Sequence, residues 1–271
     1  MPADAPPAPP PDRPAAATLA APASAPRPRG AALLVLAGTP GAATLATMVA
    51  AAQNLDRPLT TITLGDRTGA VVATEPELDR AAAAARASDA GVVVVAGGTS
   101  ARVVRRLTAL ARRPVLVART RRPWGSVVSA TDLQAPGTPV LAAGARIAAI
   151  RHAAFTVLYN VTPAWREAAA LDTTGGTISA HVARRLRRLA RLTDAVSPPP
   201  TVLVGDAPAA RAAILDATVA RDADLVVVGM RRPHAARTER CADHVVAMAP
   251  ANVLVIPLAA RRRARTVEDA A

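Results

Sequence analysis

The chain reads as short unbroken apolar runs separated by alanine-rich stretches with a helical period. Val92-Val93-Val94-Val95 and Leu225-Val226-Val227-Val228 show no alternation of apolar and polar positions. Such runs fit strands covered on both faces. Each follows an Ala-rich helical stretch and precedes a glycine, Gly97 or Gly229. A second run closes each pattern: Pro114-Val115-Leu116-Val117 in the first, Asn252-Val253-Leu254-Val255-Ile256 in the second. Two related units of unequal length account for this spacing.

The second unit is the more complete. Strands are predicted at Val127–Ala130, Phe155–Tyr159, Thr201–Val204, Leu225–Val228 and Val253–Ile256. Helices are predicted at Val140–Arg151, Ser179–Thr193, Ala209–Arg221 and near Cys241–Met248, with an irregular excursion over 162–176. The first unit shows strand Ala32–Ala37, a Gly-Pro turn, helix Ala42–Asn54, and strands near 60–64, 92–96 and 114–118. It is one helix short after its second strand, with only an extended piece near Ala70–Ala73. Strands alternating with helices imply a parallel sheet wound right-handed.

The ends differ in kind. Residues 1–30 are mostly Pro and Ala and have almost nothing to bury, so a disordered polyproline-like tail is expected. Residues 259–271 read as a basic, solvated end. The uncharged run Ala31–Asn54 raises the membrane question, but Gly38-Thr39-Pro40-Gly41 breaks it in the middle, and strand-turn-helix is the better reading. The units are therefore placed at 31–120 and 124–258, with no membrane segment.

Composition narrows the chemistry. The net charge is +13, and every basic residue is arginine. Without lysine there is no P-loop grip and no Schiff base. The excess of Ala, Arg and Pro follows a GC-rich coding preference, so charge alone does not argue for nucleic acid. One cysteine, Cys241, excludes a disulfide framework and a Cys-based zinc site and fits a reducing cytoplasm.

Four stretches of the second unit resemble the universal stress protein family. They are Val127-Val128-Ser129-Ala130-Thr131-Asp132, Gly205-Asp206-Ala207-Pro208, Ala223-Asp224-Leu225-Val226-Val227-Val228-Gly229, and Ala242-Asp243-His244-Val245 with Ala249-Pro250 and Val253–Ile256. The first unit matches only at Asp89–Gly97 and Arg113–Val117, as a degenerate copy in a tandem arrangement. The resemblance implies α/β architecture: two open parallel five-stranded sheets, order 3-2-1-4-5, flanked by helices in a Rossmann-like manner. It also implies a pseudo-dimer of the units through their last strands, and leaves room for a homodimer.

Ligands in such sheets sit beyond the strand C-termini where strand order reverses. Some members of the family bind ATP there. In them the Asp after strand one touches adenine, while glycines after strand four and a Gly-Ser pair opening the next helix hold the phosphates. The resemblance thus assigns a nucleotide pocket to Asp132, Gly205, Gly229, Arg232 and Arg240. Two departures count against it. Arg232 replaces the second loop glycine, and Glu239-Arg240 replace the Gly-Ser pair. Side chains then stand where bare backbone should face phosphate. In the first unit Gly97-Gly98-Thr99-Ser100 leaves little loop before a helix. The expectation is no ATP binding of the usual kind and no other cofactor. Arg231, Arg232, Arg237 and Arg240 are the residues that would grip phosphates if it occurred.

Other constellations carry less. Arg184, Arg185, Arg187, Arg188 and Arg191 lie opposite a stripe of Val182, Leu186, Leu189 and Ala190. With no aromatic to stack a base, they read as a solvated face rather than a nucleic-acid interface. Arg105, Arg106, Arg112 and Arg113 read the same way. His152, His181, His234 and His244 lack metal-ligand spacing, and no Gly-x-Ser-x-Gly elbow is present. Cys241 at a helix start could hold a thiolate, but reads as a small core residue. Trp165 in the excursion lines a pocket or a dimer contact, or packs on the neighbouring helix. The sequence therefore indicates a cytoplasmic binding or regulatory module of the stress response, not an enzyme. The alternatives are an ATP-binding member with slow or no hydrolysis, and a nucleic-acid binder resting on its arginine faces.

Overall fold

The computed structural model describes residues 32–37, 41–56, 58–64, 75–88, 90–132, 138–160, 180–194, 196–197, 199–205, 207–231 and 239–258. Its strands are β1 (Ala32–Ala37), β2 (Leu59–Leu64), β3 (Val92–Ala96), β4 (Val115–Ala118), β5 (Ser126–Thr131), β6 (Ala154–Asn160), β7 (Thr201–Gly205), β8 (Leu225–Arg231) and β9 (Asn252–Leu258). The helices are α1 (Ala42–Gln53), α2 (Glu75–Ala87), α3 (Ala101–Ala111), α4 (Thr138–Arg151), α5 (Ala180–Asp194), α6 (Ala210–Ala220) and α7 (Glu239–Met248).

All strands join one nine-stranded sheet, in the order β2-β1-β3-β4-β9-β8-β5-β6-β7. The expected pair of five-stranded sheets is corrected: the two halves join as one sheet, through the last-strand contact that the resemblance implied, and among the described residues the first half contributes four strands. Pairing is parallel throughout each half and antiparallel only at that joint. In the second half, β7-β6-β5-β8-β9 places the first strand of that half at the centre, where the winding reverses. The extended piece at 70–73, the excursion at 162–176 with Trp165, both tails, and His234 and Arg237 lie outside the described residues.

The continuous apolar runs are explained by burial on both faces. Val93 and Val95 enter one core with Val226, Val228, Val253 and Val255. Their neighbours Val92, Val94, Leu225, Val227, Leu254 and Ile256 enter the other. Helices α2, α3, α6 and α7 cover the first core and α1, α4 and α5 the second. Small residues let helices sit close to the sheet. A Cβ on Gly144 of α4 would stand 1.9 Å from Ser129 Oγ and 2.8 Å from Phe155 Cε2. The helix could not dock at that depth with a larger residue.

The joint between halves is built from several kinds of contact. Val115, Leu116 and Val117 lie opposite Val255, Leu254 and Val253, all at most 3% exposed. Above them, Arg105 of α3 meets Asp243 of α7 in a two-pronged ion pair. Arg119, just after β4, donates to the carbonyls of Val246 and Ala247 at the end of α7. A cation there satisfies orphan carbonyls and suits the helix dipole. Burial pulls the Arg119 guanidinium below its ordinary pKa.

Asn252 closes the joint. It is fully buried, and its Oδ1 accepts from Arg119 N at 2.8 Å and Thr120 N at 3.1 Å. Its Nδ2 donates to Thr120 Oγ1 at 2.9 Å and to the Asp224 carbonyl at 3.1 Å. One side chain thus ties the end of β4 to the starts of β8 and β9, with each of its hydrogen-bonding positions used. Asp224 extends the tie, since its Oδ2 accepts from Gly125 N at 2.8 Å and Ser126 N at 3.0 Å at the start of β5.

Asn252→Ala should lower the unfolding free energy by about 2–3 kcal/mol, the cost of leaving buried backbone N–H groups unpaired. Urea unfolding at unchanged m-value checks this. A midpoint equal to that of the parent would show that the joint does not depend on Asn252.

Candidate functional site

Of the residues singled out in the sequence, Asp132 follows the C-terminal tip of β5, Gly205 ends β7, and Gly229 lies two residues before the end of β8. Thr131 at the end of β5 is level with Tyr159 of β6. Asn160 at the end of β6 pairs with Gly205 at the end of β7. The tips of β5 and β8 meet where strand order reverses, the location at which open α/β sheets bind ligands.

Asp132 follows β5 directly, as predicted, and its carboxylate is engaged within the chain. Arg231 Nη2 donates to Asp132 Oδ2 at 2.6 Å, with side chains 18% and 44% exposed. Arg185 Nη1, reaching from α5, donates to the Asp132 main-chain carbonyl at 3.0 Å. The aspartate expected to meet adenine therefore has a charge-assisted partner of its own. Of the four arginines proposed for phosphates, Arg231 is this partner. Arg232 lies outside the described residues, and so does the side chain of Arg240.

Gly229 is corrected from a loop glycine to a strand residue. β8 continues to Arg231 and stays paired, with Gly229 opposite Ile256 and Arg231 opposite Leu258. A Cβ on Gly229 would stand 2.5 Å from Leu258 Cδ1 and 3.1 Å from Val140 Cγ2. The closing strand and α4 thus use the space that the missing side chain leaves. Met230, 4% exposed in the same core as Val228, carries the alternation onward. That buried methionine was the available signal that the strand runs past the glycine.

Gly205 has a local explanation too. Its Cβ would meet Asn160 Oδ1 at 2.9 Å and Ala213 Cβ at 3.3 Å. Asn160 Nδ2 donates to the Ala207 carbonyl at 3.2 Å, fastening the tip of β6 to the turn after β7. In the first half, Gly97 lies against β4, where a Cβ would be 2.9 Å from the Ala118 carbonyl oxygen. Ser100 then caps α3 by accepting from Val103 N at 3.4 Å.

Gly205 and Gly229 thus both serve internal packing, and the carboxylate of Asp132 is paired with an arginine.

Cys241 sits half-buried near the start of α7. Burial pushes its thiol up to about 11, against the smaller opposing effect of the Arg211 charge. Cys241 packs against the first core, as expected of a small core residue, and a thiol with its pKa raised by burial is protonated near neutral pH. Among the described residues no cluster of His, Cys, Asp or Glu could hold a metal ion. Among the same residues no helix is long and apolar enough to cross a membrane. Ala190, expected on the apolar stripe of α5, is exposed, while Leu189 is buried.

The profile of the universal stress protein family matches residues 123–257. Two solved structures have the same overall course. One is a protein of unknown function from Pseudomonas aeruginosa PAO1, with 15% identity, a TM-score of 0.55, and coverage of 83% of this chain and 82% of that one. The other is a universal stress protein from Archaeoglobus fulgidus DSM 4304, with 9% identity, a TM-score of 0.57, and coverage of 83% and 98%. At these identities the likeness concerns the fold. A comparison with curated proteins finds no match.

Two outcomes follow. Gly229→Ala should cost about 1–3 kcal/mol by overpacking, and Leu258→Ala in the same chain should recover part of that cost. A double-mutant cycle by chemical unfolding measures the coupling, and strictly additive losses would refute the packing account. Cys241 should react with a thiol reagent far more slowly in the native protein at pH 7 than in the unfolded chain. Its rate should rise about tenfold per pH unit toward pH 11. Equal native and unfolded rates at pH 7 would contradict the raised pKa.

Proposed function

We propose a function on the premise that residues 123–257 belong to the universal stress protein family: the chain is a binding and regulatory module of the stress response whose strand-tip crevice has given up the ordinary ATP cradle. The first half is a shortened copy of the second. The pair acts as one pseudo-symmetric unit in the cytoplasm, without catalytic chemistry of its own. Signalling then depends on contacts with a partner, a second copy of this chain included, rather than on turnover.

The observation that carries this reading is the Arg231–Asp132 pair beside the filled space at Gly229. For adenine to use Asp132, the carboxylate must exchange an ion pair with a guanidinium for a hydrogen bond from an uncharged donor. That exchange is unfavourable unless the ligand brings a compensating charge to Arg231. Main-chain N–H groups could approach phosphate only where side chains leave room, and Leu258 and Val140 leave none at Gly229.

The alternative is an ATP-binding member in which Asp132 turns from Arg231 to adenine while the arginines take the phosphates. Thermal unfolding with millimolar Mg-ATP separates the two. A ligand at a hundred times its Kd adds about 2.7 kcal/mol, which is a rise of several degrees in Tm. The expected shift is under about one degree, as for a weak site. A rise of several degrees that Asp132→Ala abolishes would overturn the proposal in favour of the alternative.

A further inference from the structure

The two helical layers carry very different charge. On one face of the sheet, α2, α3, α6 and α7 hold seven arginines against six acidic residues, a net charge of +1. On the other, α1, α4 and α5 hold seven arginines against Asp194 alone, a net charge of +6. A coding preference for arginine acts on both layers alike and does not produce this contrast. The first layer also pairs its arginines internally, Arg105 with Asp243 and Arg106 with Glu75 and Asp79.

The excess concentrates on α5. Arg184, Arg187, Arg188 and Arg191 recur at the spacing that shares one helix face, within an arc of about 100° and along about 10 Å of axis. Arg184, Arg187 and Arg191 are exposed and Arg188 is half-buried. Among the described residues none of the four takes part in an ion pair. The helix is held with this face outward. Leu189 is 2% exposed in the core beneath, Leu186 and Leu192 pack against that core, and Arg185 is tied to Asp132 at the tip of β5. Beside α5, α4 adds Arg146 and Arg151 and no acidic residue.

From this we infer that the outer face of α5 docks the phosphodiester backbone of nucleic acid. Arginine pairs well with phosphate, and a row of guanidinium groups along one axis suits a linear array of phosphates. A bilayer is a poorer fit, because the leucines that would enter it are already packed in the protein's own core. No aromatic residue lies on α5, so the contact follows the backbone and does not read or stack bases.

The test is fluorescence anisotropy with the full chain and a labelled 20-bp duplex of arbitrary sequence, repeated from 50 to 300 mM salt. Four phosphate contacts predict a slope of log K against log salt of about −3 to −4. The triple change Arg184→Glu, Arg188→Glu, Arg191→Glu should weaken binding at 50 mM salt at least about 100-fold, with melting temperature and circular dichroism unchanged. The milder Arg→Gln set at the same positions should flatten the slope by about three and covers the case in which reversal disturbs folding. Arg80→Glu with Arg112→Glu, on the other layer, should change affinity less than about threefold. Three results would overturn the inference: no binding at 50 mM salt, equal loss in the control, or capture by phosphatidylserine vesicles without capture of the duplex.

Discussion

The antiparallel meeting of β4 and β9 is the constraint on which the rest of the molecule depends. Each half would otherwise expose an apolar edge strand, a liability in water. Valine and leucine side chains buried on both faces of the joint remove that liability from both halves at once. The pairing then dictates its surroundings. α3 and α7 are brought together and exchange the Arg105–Asp243 ion pair. The chain leaving β4 passes the end of α7, where Arg119 answers the free carbonyls, and Asn252 pins it to β8 and β9.

Much of the architecture was legible in the sequence because burial on both faces writes itself as uninterrupted apolar runs. Val92–Val95 and Leu225–Val228 could be read as strands without knowing their partners, and both lie where the runs put them. Edge pairing leaves no such mark. Nothing in Val115-Leu116-Val117 distinguishes a strand that meets its own half from one that meets the other half in reverse direction. Asn252 was equally silent, because a single buried amide resembles any turn residue until its four partners are in place.

The candidate site shows the same division. The position of Asp132 after β5 was legible from the run that precedes it. Its engagement by Arg231 was not, because that depends on β8 continuing past Gly229. Glycine after an apolar run signals a loop on average. Here the close approach of Leu258 and Val140 demands glycine inside the strand. A ligand cradle and a tight packing contact make the same demand on sequence, and only the neighbouring atoms separate them. The arginine clusters at 105–113 and 184–191 likewise read alike in the sequence, and the contrast between layers emerged once helices were assigned to faces of the sheet.

The short connection between β4 and β5 has a consequence for assembly. Tethered partners meet at an effective concentration that a few residues of linker hold near about a millimolar, whatever the dilution of the protein outside. The two edges therefore find each other without a search, and neither needs to be self-complementary. Freed from matching an identical twin, each half can change its own surface while the seam persists. Covalent continuity in this way turns a symmetric encounter into a platform on which two unequal sides evolve separately.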